Sequence, residues 1–142
     1  LGLPNIRTEL QDASVCREEW KDSADVVLCD VPCSGLGIIR KKPEIRFKNP
    51  DEIRILPEIQ ARILANCAQY VKKGGTLVYS TCTILQRENE DVVRAFLTEN
   101  PEFEAVSWTH PVCGERADGM VTLLPPVHNT DGFFIAKMHR KV

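Results

Sequence analysis

Six cysteines stand at positions 16, 29, 33, 67, 82 and 113 of this 142-residue chain, and two of them sit where a thiol could do chemistry. Cys33 lies in Asp30-Val31-Pro32-Cys33-Ser34-Gly35 and Cys82 in Ser80-Thr81-Cys82-Thr83. A thiolate is a nucleophile and a metal ligand, whereas a cysteine in an apolar stretch is by default a small core hydrophobe. Zinc wants closely spaced ligand pairs. Cys29 and Cys33 are too far apart for a CxxC knuckle and no paired histidines follow, so no metal is expected. An even count would permit disulfides, but no secretory signal precedes it, so free thiols in a reducing cytoplasm are expected. Cys82 with His128 and Asp131 could instead form a cysteine hydrolase, a use that leaves the Pro-Cys segment without a role.

The elements that must position these thiols read as alternating strands and helices. Residues 25–31 and 76–81 are continuous apolar runs, as in buried parallel strands, and each leads directly into one of the two cysteine segments. Asn49-Pro50-Asp51-Glu52 is a helix start, and Pro57 opens a second helix through Leu56, Ile59, Ile63, Cys67 and Tyr70. Lys72-Lys73-Gly74-Gly75 is expected to close that helix at about Val71. A further helix is expected over 86–100, through Val92, Val93, Phe96 and Leu97, ending at Pro101. Residues 5–10 are a candidate edge strand, and 103–108 and 132–138 candidate strands. The alternation predicts an α/β fold with a mostly parallel sheet, whose sites lie at the C-terminal ends of strands. Both thiols are therefore expected on one rim, with the helix near Gln86 favouring the Cys82 thiolate through its dipole.

With 18 basic and 20 acidic residues the net charge is −2, which argues against a broadly electrostatic nucleic-acid binder. Arg40, Lys41, Lys42, Arg46 and Lys48 nevertheless form a local basic segment, opposed in sequence only by Glu44, directly after the first cysteine loop. Such runs are usually solvated loops; position relative to the chemistry decides. No apolar run approaches the ~20 residues that span a membrane.

The two cysteine motifs, with residues 37–43, Gly74-Gly75 through Cys82, Glu88-Asn89-Glu90 and residues 131–136, resemble the RNA cytosine-C5 methyltransferases of the Nol/Nop/Sun type. The resemblance implies a Rossmann-like fold that uses S-adenosylmethionine (SAM), with small-subunit ribosomal RNA as the expected substrate. It implies Cys82 as the nucleophile that adds to cytosine C6 and Cys33 as the thiol that helps resolve the adduct. It places Asp30 beside the methionine part of SAM and the cytosine edge, and Asp12, in Gln11-Asp12-Ala13, against the adenine. The basic residues 40–48 would then hold RNA phosphates while an unpaired or flipped base enters. The family's glycine-rich cofactor loop and ribose-binding acid have no counterpart in residues 1–142. The chain is therefore expected to be the C-terminal part of a catalytic domain whose first strands lie upstream. Alone it is expected to be inactive, to bind SAM weakly, and to bind only RNA or self-associate.

Overall fold

The computed structural model describes residues 2–142, and its organisation follows from two parallel strands and the helices between them. β1 (Ala24–Asp30) pairs in parallel with β2 (Val71–Thr81), placing Val27 beside Leu77 and Asp30 beside Ser80. Parallel pairing requires a crossover, supplied by α1 (Pro50–Arg54) and α2 (Leu56–Ala68). Both start as expected: Asn49 accepts the Asp51 N–H at 3.0 Å, and prolines occupy the first turns of both helices. α3 (Glu90–Glu99) follows β2. Short strands β3 (Phe103–Ala105), β4 (Trp108–His110), β5 (Gly114–Arg116) and β6 (Met120–Leu123) come next. The turn of helix α4 (Pro125–His128) leads into β7 (Phe133–Arg140).

The α/β expectation holds, but the sheet is mixed: β7 runs antiparallel to β2 on one side and to β3 and β6 on the other. β6 and β7 are joined by a link too short for a crossover, so they pair antiparallel. β4 and β5 form a separate hairpin that the sequence pattern did not announce. One face of the main sheet carries Cys29, Leu77, Tyr79, Phe134, Ala136 and Met138 into the core against α2 and α3, which contribute Leu64, Val93 and Phe96. Leu64 is completely buried, so Leu64→Ala falls in the class that costs about 2–5 kcal/mol.

Four expectations are corrected. Residues 5–10 form no strand, because nothing in the described chain pairs with them, and Leu10 is fully exposed. The helix expected to reach Val71 ends at Ala68; Lys72-Lys73-Gly74-Gly75 instead forms an irregularity within β2, between the pairs Ala24–Val71 and Val26–Thr76. Gly74 there takes φ +76°, the left-handed conformation glycine tolerates. The helix expected over 86–100 divides into a 3-10 turn (Gln86–Glu88) and α3, and the strand expected over 103–108 divides into β3 and the start of β4.

Candidate active site

At the C-terminal ends of β1 and β2 the ladder continues for one more bond, from Val31 N–H to Ser80 C=O at 3.2 Å, and then the two chains separate into the cysteine loops. The Sγ atoms of Cys33 and Cys82 are 3.2 Å apart, and both thiols are free. A third loop closes on them through Gly37, whose N–H donates to Cys82 C=O at 3.0 Å and whose C=O accepts the Gly132 N–H at 2.8 Å. A Cβ at Gly37 would lie 2.1 Å from the Gly132 oxygen and 2.8 Å from the Cys82 oxygen, so only glycine allows this approach. The thiols open onto a cleft of about 430 Å³ whose walls include Pro32, Ile38, Lys42, Glu44, Ile45 and Lys48.

Beneath the thiols lies a buried polar network. Glu88 Oε2 accepts the Ser34 N–H at 2.9 Å and Gln60 Nε2–H at 3.0 Å. Ser34 Oγ and Thr83 Oγ1 are 2.7 Å apart, Thr81 donates to Asn89 Oδ1 at 2.6 Å, and Asn89 Nδ2 donates to Thr83 C=O at 3.0 Å. The sequence pattern gave no role to Gln60, and showed Ser34, Thr83 and Glu88 only as parts of motifs. A signal was present in Gln60, a polar residue on the stripe that Leu56, Ile59 and Ile63 carry into the protein.

The two sulfurs are not equivalent. Burial, and then the contact with Cys82, push the Cys33 thiol up to about 12, so Cys33 keeps its proton across the neutral range. Cys82 is the natural acceptor of that S–H. The helix-dipole support expected for Cys82 is not built: the first turn after it is a 3-10 turn at Gln86–Glu88, and α3 begins only at Glu90, with Glu90 and Asp91 in its first turn.

Of the two expected cofactor carboxylates, Asp30 ends β1 with its side chain exposed, accepting the Ser80 O–H at 2.7 Å. It lines a second hollow of about 280 Å³ with Leu28, Val78, Ser80, Phe133 and Ile135, on the sheet face opposite α2 and α3. Asp12 is exposed and outside both hollows. Its carboxyl is held below the ordinary range by the Ser14 side-chain O–H at 2.7 Å and the Ser14 N–H at 2.9 Å.

The five basic residues do not act as one patch opposed only by Glu44. Arg40 reaches Asp131 at 3.2 Å and Lys41 pairs with the same carboxylate, which they hold below its usual range, the Lys41 hydrogen bond first. Asp131 is remote in sequence and brought in by the Gly37–Gly132 contact. Lys48 donates to Ser34 C=O at 2.8 Å, Lys42 stands in the cleft wall, and the Arg46 guanidinium lies 5.6 Å from the exposed ring of Phe47. The hydrolase alternative is not assembled: His128 Nδ1 accepts the Leu124 N–H at 2.9 Å, and Asp131 faces cations.

The chain is similar to known proteins along nearly its whole length. Residues 1–139 match the family model for 16S rRNA methyltransferase RsmB/F. The chain is 44% identical over 148 aligned residues to a probable ribosomal RNA small subunit methyltransferase B of Bacillus subtilis, covering 99% of this chain and 33% of the relative. It is 40% identical over 122 aligned residues to the ribosomal RNA small subunit methyltransferase B of Thermus thermophilus, covering 84% and 30%. The crystal structure of PH0851 superposes with a TM-score of 0.90 at 35% identity, over 98% of this chain and 32% of that one. The chain thus spans about a third of the length of the relatives it matches. Its motifs, its paired thiols at the strand ends and these similarities establish that it belongs to the 16S rRNA methyltransferase RsmB/F family.

Proposed function

We propose that this chain is the C-terminal part of a methyltransferase catalytic domain that transfers a methyl group from SAM to C5 of a cytosine in 16S ribosomal RNA through a covalent cysteine adduct. The observation that carries the reading is the 3.2 Å thiol pair with its proton held on Cys33. Cytosine C5 is too weak a nucleophile to take a methyl group unaided. Addition of the Cys82 sulfur to C6 forms a C–S bond and turns C5 into an enamine-like carbon. SAM supplies the electrophilic methyl. A water molecule in the cleft then takes the C5 proton, the C5–H electron pair forms the C5–C6 double bond, the C6–S bond breaks, and the electron pair of that bond returns to the Cys82 sulfur. Cys33 hydrogen-bonds the departing sulfur with its retained proton. Asp30 can accept a hydrogen bond from the base edge or from the amino group of SAM, and Asp12 one from the adenine. Both carboxylates are exposed and suit such donors, and the apolar residues around Asp30 provide one wall for the methionine part. Lys42 and Arg46 offer phosphate contacts at the cleft.

The test is the position of the methyl group. The gene product carrying this chain, given small-subunit RNA and labelled SAM, should yield cytosine protected from bisulfite conversion. Label on ribose or on an exocyclic nitrogen overturns the reading.

A second reading concerns the chain taken alone: an inactive fragment that binds RNA or self-associates. It is favoured by the open sheet face, where Val26 and Leu28 are 63% and 68% exposed beside Val78 and Ile135. Sedimentation of residues 1–142 should show oligomers that Leu28→Lys disperses; a monomer at micromolar concentration removes this reading.

A further inference from the structure

One buried carboxyl fastens together the segments that carry the two thiols. The Ser34 N–H and the Pro32 C=O flank Cys33. Glu88 Oε2 takes the first directly, and Gln60 Nε2, also bound to Glu88 Oε2, takes the second at 3.0 Å. Glu88 is itself tied to β2, its C=O accepting the Tyr79 O–H at 2.6 Å, three residues before Cys82. The Ser34–Thr83 hydroxyl pair then links the residues that follow each cysteine. Glu88, Gln60, Ser34 and Thr83 are all fully buried, and none lines the cleft. Burying a carboxyl is costly, and apolar residues of similar volume often serve stability as well or better. What apolar residues cannot do is grip one backbone N–H and, through an amide, one backbone C=O on either side of a single residue.

We propose that Glu88, acting through Gln60 and Ser34, is a positioning residue that sets the separation of the Cys33 and Cys82 sulfurs. The catalytic consequence rests on the proposed function; the geometric claim stands on this chain alone. Without the clamp, the loop over residues 31–37 keeps its backbone bonds through Gly37 but no longer holds Cys33 in place. A misplacement of about 1 Å costs up to roughly 100-fold in rate.

The probe is phenylarsine oxide, whose trivalent arsenic bridges two thiols only when they are close. It is applied to the native 142-residue chain, and the bridged peptides are identified by mass. The native chain should bridge Cys33 with Cys82. Glu88→Ala should lose that bridge, whereas Glu88→Gln should keep it, since one amide oxygen can accept both N–H bonds. Gln60→Leu removes only the amide arm to Pro32 and leaves the Ser34 N–H on Glu88; it should lower the bridging yield in a chain whose circular-dichroism spectrum remains native, which guards against a Glu88→Ala chain that fails to fold. In the gene product, Glu88→Gln should turn over near the native rate. Glu88→Ala should lower kcat by roughly 10- to 100-fold with little change in KM, and should raise the fraction of covalent RNA adduct. A folded Glu88→Ala or Gln60→Leu chain that bridges as the native one does overturns the proposal, as does a Glu88→Gln chain as deficient as Glu88→Ala. Bridging as expected, together with methylation by a Cys82→Ser protein, would keep the positioning claim and remove the proposed function; the opposite pattern would remove the positioning claim alone.

Discussion

Cys33 and Cys82 make one thiol pair, and Cys29 and Cys67 make another only a few residues away along β1 and α2. Cys29 is 3% exposed and lies within the apolar core, where the Cys67 contact and burial push its thiol far above the ordinary value. Cys67 packs against that core from α2, and its own thiol is lowered by the bond from Cys29. Cys67 does border a shallow hollow with Glu9, Gln11 and Tyr70, but Cys29 lies behind it in the apolar core. The outer pair stands one loop beyond the strand ends, against a cleft with Lys42 and Lys48 in its wall. Two thiols in contact are therefore not enough for chemistry. In the proposed function the strand end, where backbone ordering stops and solvent begins, separates the packing pair from the reactive one.

The largest effect should come from breaking the outer pair. Cys82→Ser should lower methyl transfer by at least about 10⁴-fold, as removal of a covalent nucleophile does elsewhere, with RNA binding retained. Cys29→Ala should leave methyl transfer intact and lower stability by about 1 kcal/mol in a urea titration. If instead Cys29→Ala abolishes transfer and Cys82→Ser does not, the two pairs have been assigned the wrong way round.

A pH titration sharpens the contrast. Cys33 should resist iodoacetamide at pH 8 and react with a midpoint near 12, against 9.0 for an ordinary thiol. The folded thiol holds its proton more tightly than the unfolded one, so between pH 9.0 and about 12 the unfolded chain ionises first and stability falls as pH rises. Cys33→Ala should remove that part of the alkaline decline. Alkylation of Cys33 with a midpoint near 9 would show that its proton is not held.

The smallest effect concerns the basic wall that only the outer pair possesses. Removing a cation that binds one phosphate lowers the slope of log affinity against log salt by roughly 0.7–0.9. Lys42→Ala should reduce the slope by about that amount. Arg40→Ala and Lys41→Ala should each reduce it by less, because Asp131 already shares their charge. Equal reductions at all three positions would mean that the Asp131 pairing does not survive in solution.

Local chemistry was legible in the sequence wherever a short segment suffices to specify it. The helix starts at Asn49 and Pro57, the parallel strands leading to Cys33 and Cys82, and the shared rim all follow from residues close together along the chain. The irregularity at Lys72–Gly75 was not legible, because Lys-Lys-Gly-Gly is as suitable for a helix end as for a break in a ladder, and only pairing with Ala24 and Val26 decides. The pairing of Asp131 with Arg40 and Lys41 depends on the Gly37–Gly132 contact, which no local pattern encodes. Asp12 and Asp30 stand where ligands could reach them, but at separate places in this chain. Their joint use was implied by resemblance rather than by spacing.

Trapping the covalent adduct decides whether Cys82 bonds to RNA and Cys33 helps release it. Cys33→Ala, Cys82→Ala and the double variant of the gene product are each incubated with small-subunit RNA and SAM, then resolved under denaturing conditions. A protein–RNA adduct should accumulate in Cys33→Ala and be absent from both chains lacking Cys82. An adduct that accumulates in Cys82→Ala and not in Cys33→Ala would contradict it.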